Sequence, residues 1–157
     1  MKRHTVGAVA AILILCLSPV GETAAQTIKS VAGTYSAVTV PAYGDNPRGT
    51  LILTADGHYS IIIARATLPK IAAGARTKGT AEENKMVIDG TIAHTGTYTI
   101  DDGGKTLTMH IQTSTFPNWD GTAQKRPFKV SGDTLTYTVA APSDGGPANE
   151  VVWKRVK

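Results

Sequence analysis

Residues 97–113 read TYTIDDGGKTLTMHIQT, in which two runs of alternating side chains flank a polar turn rich in glycine. Side chains on an extended strand point alternately to opposite faces. In the second run, one face therefore carries Leu107, Met109 and Ile111, and the other carries threonine and other polar side chains. One apolar and one polar face are typical of an antiparallel sheet with water on one side. This stretch predicts a β-hairpin.

The same pattern recurs along the chain on both sides of this hairpin. Eight runs of this kind are predicted as strands: 34–40, 49–54, 58–65, 97–100, 106–113, 124–130, 134–140 and 151–155. Glycine-containing turns such as Ala55-Asp56-Gly57 separate many of them. Short strands spaced by such turns favour a β-sandwich or a β-barrel.

One short segment has the signature of a helix. Thr80 and Glu83 have the spacing of a capping box, in which each side chain bonds the backbone N–H of the other residue. We predict a helix over residues 81–88, ended by Asp89-Gly90. The fold class expected from the whole pattern is all-β, a small antiparallel up-and-down barrel of about eight strands with one short helix.

Residues 1–25 have the order of a secretory signal peptide: a basic tip, an apolar run from Val6 to Leu17, and then small residues. We expect cleavage between Ala25 and Gln26, leaving residues 26–157 as one domain that is periplasmic or secreted. The apolar run is shorter than the roughly 20 residues of a spanning helix, so no stable membrane anchor is expected after cleavage. Cys16, the only cysteine, lies in this run.

Charge and histidine spacing argue against two classes of partner. The formal net charge is +4 and the basic residues are scattered, whereas a protein that binds nucleic acid concentrates them on one face. His58, His94 and His110 lack the close spacing typical of zinc ligands. We therefore expect no nucleic-acid partner, no metal site and no cofactor.

Several segments, taken in order, resemble the lipocalin-like domain family of the wider calycin group. The chain resembles an exported bacterial member of that family. They are Gly33-Thr34-Tyr35, Asp56-Gly57-His58-Tyr59-Ser60, residues 95–101, residues 117–128 and Val152-Trp153-Lys154-Arg155. The resemblance covers residues 31–155 and implies a barrel around a ligand. Where classical lipocalins have tryptophan, Tyr35 stands here, and the resemblance implies that Arg155 packs across its ring as a cation–π contact.

The predicted binding residues combine a barrel lining with three polar or loop positions. The predicted lining is Tyr59, Ile61, Tyr98, Met109, Phe128 and Tyr137. Trp119 lies in a loop, where it either closes the barrel end or contacts a ligand. His110 is either solvated on the threonine-rich face or in contact with the ligand. Arg126 either pairs with Asp120 or Glu150, or orients an anionic group of the ligand, because a guanidinium binds carboxylates through two parallel hydrogen bonds.

Three functions remain open from the sequence. The first is an exported protein that binds a small apolar or aromatic molecule inside the barrel. The second is a cyclase or isomerase that uses the cavity, with His110, Arg126 or Tyr98 as acid or base. The third is a packed barrel that acts through its surface, as an inhibitor or an envelope component. An interior void above about 300 Å³ would favour a ligand over the third.

Overall fold

The computed structural model describes residues 26–157, so the predicted signal peptide lies outside the described residues. Eight antiparallel strands close into a barrel, each paired with its neighbours along the chain and the last with the first. The strands are β1 (Gly33–Thr39), β2 (Arg48–Leu53), β3 (His58–Ala64), β4 (Thr91–Ile100), β5 (Thr106–Ser114), β6 (Ala123–Ser131), β7 (Thr134–Val139) and β8 (Asn149–Arg155). The predicted up-and-down barrel is confirmed.

Strand β4 is six residues longer at its start than the sequence predicts. It begins at Thr91 rather than Thr97, and its first half pairs with β3 from Thr91 onward. Between Thr95 and Gly96 the pairing with β5 shifts register at an irregularity. The added residues carry His94 into the wall of the barrel, where it is buried.

The predicted helix is confirmed as α2 (Ala81–Asp89), and a single turn, α1 (Ile28–Val31), precedes the first strand. The capping box of α2 is present, with Glu83 N 3.2 Å from Thr80 Oγ1 and Thr80 N 2.8 Å from Glu83 Oε2. Glu83 Oε1 also accepts a hydrogen bond from Ala72 N at 2.9 Å. One carboxylate therefore fixes the helix start and the connection before it. Among residues 26–157, no helix has the length and apolar character needed to cross a membrane.

The alternation of strand direction sorts the connections to two ends of the barrel. Tight turns 54–57, 101–105 and 132–133 lie at one end together with α1, and the longer connections 40–47, 65–90, 115–122 and 140–148 lie at the other. We call these the closed end and the mouth. Loops that bind ligands are commonly the longer ones held by a rigid scaffold.

Tyr35 and Arg155 fasten α1 over the closed end. The Tyr35 hydroxyl donates to the Val31 carbonyl at 2.6 Å. The guanidinium carbon of Arg155 lies 4.7 Å from the centroid of the Tyr35 ring, and its Nη2 donates to the Ser30 carbonyl at 3.1 Å. The cation–π contact implied by the resemblance is therefore confirmed. It holds the chain before β1 against the end of β8.

Candidate ligand-binding site

The half of the interior next to the closed end is filled by side chains. Leu53, Leu107, Met109, Leu135 and Trp153 are each at most 2 % exposed. Tyr98 closes this region, because its hydroxyl donates to the Thr54 carbonyl at 2.7 Å in the first tight turn. Burial raises the pKa of Tyr98 to about 12, so the hydroxyl stays protonated.

The half of the interior next to the mouth contains a cavity of about 40 Å³. Strands β3, β4, β6, β7 and β8 supply its walls, and the loop between β5 and β6 supplies Trp119. The principal lining side chains are Ile61, His94, Trp119, Arg126, Tyr137 and Val151. A volume of this size holds a few water molecules at most.

A larger groove of about 400 Å³ lies at the mouth beside this cavity. It runs between the first mouth loop and the start of β4, and its lining includes Arg65, Phe116 and Asp144. Tyr43 and Ile92 line both the groove and the interior cavity. Since small-molecule pockets usually have about 300–1,000 Å³, the groove has the volume of a ligand pocket and the cavity alone does not.

His94 is a site residue that sequence reasoning missed. It is 5 % exposed, and its Nδ1 lies 2.8 Å from the Tyr59 hydroxyl. Burial, and then the charge of Arg126, lower the pKa of His94 to about 3, so the imidazole is neutral at ordinary pH. A predicted β4 that began at Thr91 would have placed His94 inside the barrel, because His94 alternates in step with Ile92, Gly96 and Tyr98.

Arg126 is the buried charge of the interior, at 3 % exposure. Its Nη2 donates to Gln124 Oε1 at 2.7 Å, and its guanidinium carbon lies 5.0 Å from the centroid of the Tyr137 ring. Its Nε has no hydrogen-bond partner. The ion pair with Asp120 or Glu150, one of the two alternatives for Arg126, is not formed: Glu150 Oε1 lies 3.9 Å from Lys129 Nζ, and none of the ion pairs among residues 26–157 includes Arg126.

Trp119 covers the interior cavity from the loop side. It ends the 3-10 turn Pro117–Trp119 and is half-buried. Its ring meets His94 and Phe116 edge to face, each at a centroid distance of 5.6 Å. Gly121 follows two residues later with a φ of +74°, a conformation that glycine adopts without strain.

The predicted binding residues are brought together in part. Ile61, Trp119, Arg126 and Tyr137 line the interior cavity. Tyr59, Tyr98, Met109 and Phe128 are buried inside the barrel without lining it. His110 is exposed on the outer, threonine-rich face, because it alternates with the inward-facing Met109 and Ile111.

The three candidates for acid–base catalysis do not meet at one point. His110 lies outside the barrel, Tyr98 is bonded at the closed end, and only Arg126 reaches the cavity. Among the residues that the structure describes, no group of three His, Cys, Asp or Glu side chains is placed to hold a metal ion.

Two comparisons with known proteins bear on this site. A family model described as a lipocalin-like domain matches residues 27–156. The chain is also similar to the 4'-hydroxy-3'-methoxypropiophenone carrier protein of Aspergillus oryzae, with 30% identity over 70 residues. That match covers 41% of this chain and 63% of the relative, so the chain spans less than two thirds of the curated protein that it matches.

Proposed function

Because this chain belongs to the lipocalin-like domain family, we propose that it is a carrier of a small aromatic molecule, bound in the mouth half of the barrel. The observation that carries this proposal is the interior cavity, whose apolar and aromatic walls hold two buried polar groups, His94 and Arg126. A mostly apolar pocket with a few placed polar groups is typical of small-molecule sites. Burial of apolar ligand surface would drive binding, at about 25 cal/mol per Å².

The name of the Aspergillus relative suggests the class of ligand. That protein is named as the carrier of 4'-hydroxy-3'-methoxypropiophenone, an aromatic ketone whose ring carries a hydroxyl and a methoxy group. The cavity here offers Tyr137 and Trp119 rings beside a guanidinium and an imidazole, a set that suits an aromatic ring with polar substituents. We therefore propose a small phenolic or related aromatic compound as the ligand.

Entry of such a ligand requires the cavity and the groove to join. The cavity has about 40 Å³, whereas the groove beside it has about 400 Å³. Tyr43 lines both spaces, and Trp119 covers the cavity from a loop. Movement of the Tyr43 ring would join the spaces without disturbing the strands.

The small interior volume also favours a second candidate, a packed barrel that acts through its surface. The observation that favours this second candidate is the cavity volume of about 40 Å³, which is well below that of an ordinary ligand site. The two candidates differ in one measurable property, because only the carrier has a mouth that binds small aromatic molecules.

We also propose that the protein acts outside the cytoplasm, in the periplasm or as a secreted protein. The order of basic, apolar and small residues in 1–25 supports this proposal. Amino-terminal sequencing of the protein recovered from its host tests it. A first residue of Gln26 is the expected result, and a retained Met1 on exported or cell-associated protein would contradict cleavage.

Calorimetric titration with a 4-hydroxyphenyl alkyl ketone tests the carrier proposal. Ala42 lines both the groove and the cavity, so Ala42→Phe fills the passage between them. Ala55→Phe is the matched control, because Ala55 is exposed in a tight turn at the closed end. We expect saturable binding by the wild-type protein, at least tenfold weaker binding by the Ala42 variant, and unchanged binding by the Ala55 variant.

Two results would overturn the carrier proposal. The first is a folded wild-type protein that binds neither this ketone, nor its apolar alkylbenzene analogue, nor a 4-alkylbenzoate. The second is binding that Ala42→Phe leaves unchanged, which would put the ligand outside the mouth. The first result would support the surface-acting barrel instead.

A further inference from the structure

We propose that the ligand is bound as an anion whose charged oxygen pairs with the guanidinium of Arg126 inside the barrel. This inference rests on the proposed carrier function and names the chemistry of its ligand. The shared chemistry is an aromatic oxyanion, which is either a carboxylate or the phenolate of a phenol with a conjugated acyl group.

The bonding of Arg126 is incomplete without a ligand. A guanidinium has five N–H donors, and here Nη2 bonds Gln124 while Nε is buried without an acceptor. Burial of a charge is costly unless an opposite charge and hydrogen bonds compensate for it. Among residues 26–157 the ion pairs involve other side chains, so Arg126 has no carboxylate partner.

The groups that face Arg126 do not neutralise it. These ionisable side chains are Tyr59 of β3, His94 of β4 and Tyr137 of β7. Burial raises the pKa of both tyrosines and lowers that of His94 to about 3, so all three are neutral near pH 7. The face of the Tyr137 ring gives a cation–π contact, which compensates for only part of the lost hydration.

The position of Arg126 suits a ligand rather than a structural ion pair. Its side chain lines the cavity that approaches the mouth, and Trp119 lines the same space. Lys125 and Lys129, on either side of it along β6, are exposed and point out of the barrel. Of the cations in this basic segment of β6, Arg126 therefore points inward. Its planar guanidinium has parallel N–H donors that fit an oxyanion.

The test uses three probes that differ in charge. They are a 4-hydroxyphenyl alkyl ketone, its 4-methoxy analogue, which has no phenolic proton, and a 4-alkylbenzoate. At pH 6 the free phenol is mostly neutral. We expect the bound phenol to show the red-shifted absorbance of the phenolate, with its proton released to the buffer. This measurement needs no variant.

Variants then assign the effect to Arg126. We expect Arg126→Gln to weaken binding of the hydroxy ketone and the benzoate at least tenfold, and to change binding of the methoxy ketone by less than twofold. Lys129→Gln removes the same charge from the outer face of the same strand, away from the pockets around Arg126, and is the matched control. We expect it to change none of the three affinities by more than twofold.

The outcomes separate this inference from the carrier proposal. If the methoxy ketone binds as tightly as the hydroxy ketone and the bound phenol keeps its neutral spectrum, the anion inference falls while carriage stands. If the folded protein binds none of the three probes, both fall. Binding of the benzoate alone, or of the phenolate alone, supports the inference and identifies which oxyanion the barrel accepts.

Discussion

The buried imidazole of His94 makes the stability of the barrel depend on pH. In the unfolded chain a histidine takes up a proton below about pH 6.5, whereas burial lowers the pKa of His94 to about 3. Between these values the unfolded state binds more protons than the folded one, so stability falls as the pH falls. We expect the free energy of unfolding to be about 2 kcal/mol lower at pH 5 than at pH 7.

Urea denaturation of wild-type protein and of His94→Gln at the two pH values measures this effect. The variant should lose most of the difference, since glutamine does not titrate. Asp56, Glu83 and Asp101 also have lowered pKa values, but they are mostly ionised in both states above pH 5 and have their main effect at lower pH. Equal pH dependence in the two proteins would show that His94 is not the cause.

Arg155 is the residue on which closure of the barrel end depends. It stacks over Tyr35 and donates to the carbonyls of Ser30 and Ala32. We expect Arg155→Met to lower the free energy of unfolding by about 2–4 kcal/mol, because a cation–π contact and two hydrogen bonds from a charged group are lost.

Chemical denaturation of this variant needs a control that removes a nearby cation. Lys157 pairs with Asp133 at 3.2 Å on the surface, and such exposed pairs contribute about 0–1 kcal/mol. Lys157→Met should therefore have little effect. A similar loss in both variants would mean that net charge, rather than the contacts of Arg155, determines the result.

The sequence predicts the direction of a side chain only where the strand pattern is regular. Leu107, Met109 and Ile111 alternate with polar residues, and all three are buried as predicted. Alternation with Phe128, a predicted lining residue, places Arg126 on the inner face, but the local sequence does not show which groups surround it. Its burial without an ion-pair partner follows from closure of the barrel, which brings β3, β4 and β7 around it.

Among the elements, β4 requires glycine at one position. At Gly96, beside the register irregularity, a Cβ atom would collide with the carbonyl oxygen of His110 on β5. The backbones of Gly96 and His110 belong to paired strands, so neither can move away without loss of hydrogen bonds between β4 and β5. We expect Gly96→Ala to destabilise the protein by about 1–3 kcal/mol, the usual cost of overpacking.

Thermal denaturation compares this variant with Gly103→Ala. Gly103 lies in the tight turn after β4, and the nearest atom to an added Cβ is Asp101 Oδ2 at 4.0 Å. The control should be nearly neutral. A stable Gly96 variant would mean that β4 and β5 have freedom to separate at this point.

Elements with strong local signals were predictable, and elements that depend on distant contacts were not. The turns at Gly57, Gly104 and Gly132 have positive φ values, as their sequences suggest, and the capping box begins α2 at the expected residue. The early start of β4 depends on pairing with β3, and the alternation of residues 91–96 alone is too weak to predict it. The turn α1 is held by Tyr35 and Arg155, which come from β1 and the far end of the chain.

At the scale of the whole molecule, the two ends of the barrel have different roles. Side chains fill the interior next to the closed end, whereas the interior cavity and the groove lined by Tyr43 and Ile92 both lie toward the mouth. If the protein carries a ligand, that ligand contacts the mouth loops and leaves the tight turns untouched. Loops that become ordered around a ligand open less often, so their backbone amide hydrogens exchange more slowly.

Hydrogen–deuterium exchange with and without a saturating 4-hydroxyphenyl alkyl ketone measures this asymmetry. We expect slower exchange in the mouth loops 40–47, 115–122 and 140–148, and unchanged exchange in the turns 54–57, 101–105 and 132–133. The Ala42→Phe variant should show weaker protection at the same ketone concentration, because its passage is filled. Protection confined to the closed end would place binding at the opposite end of the barrel, and would contradict entry through the mouth.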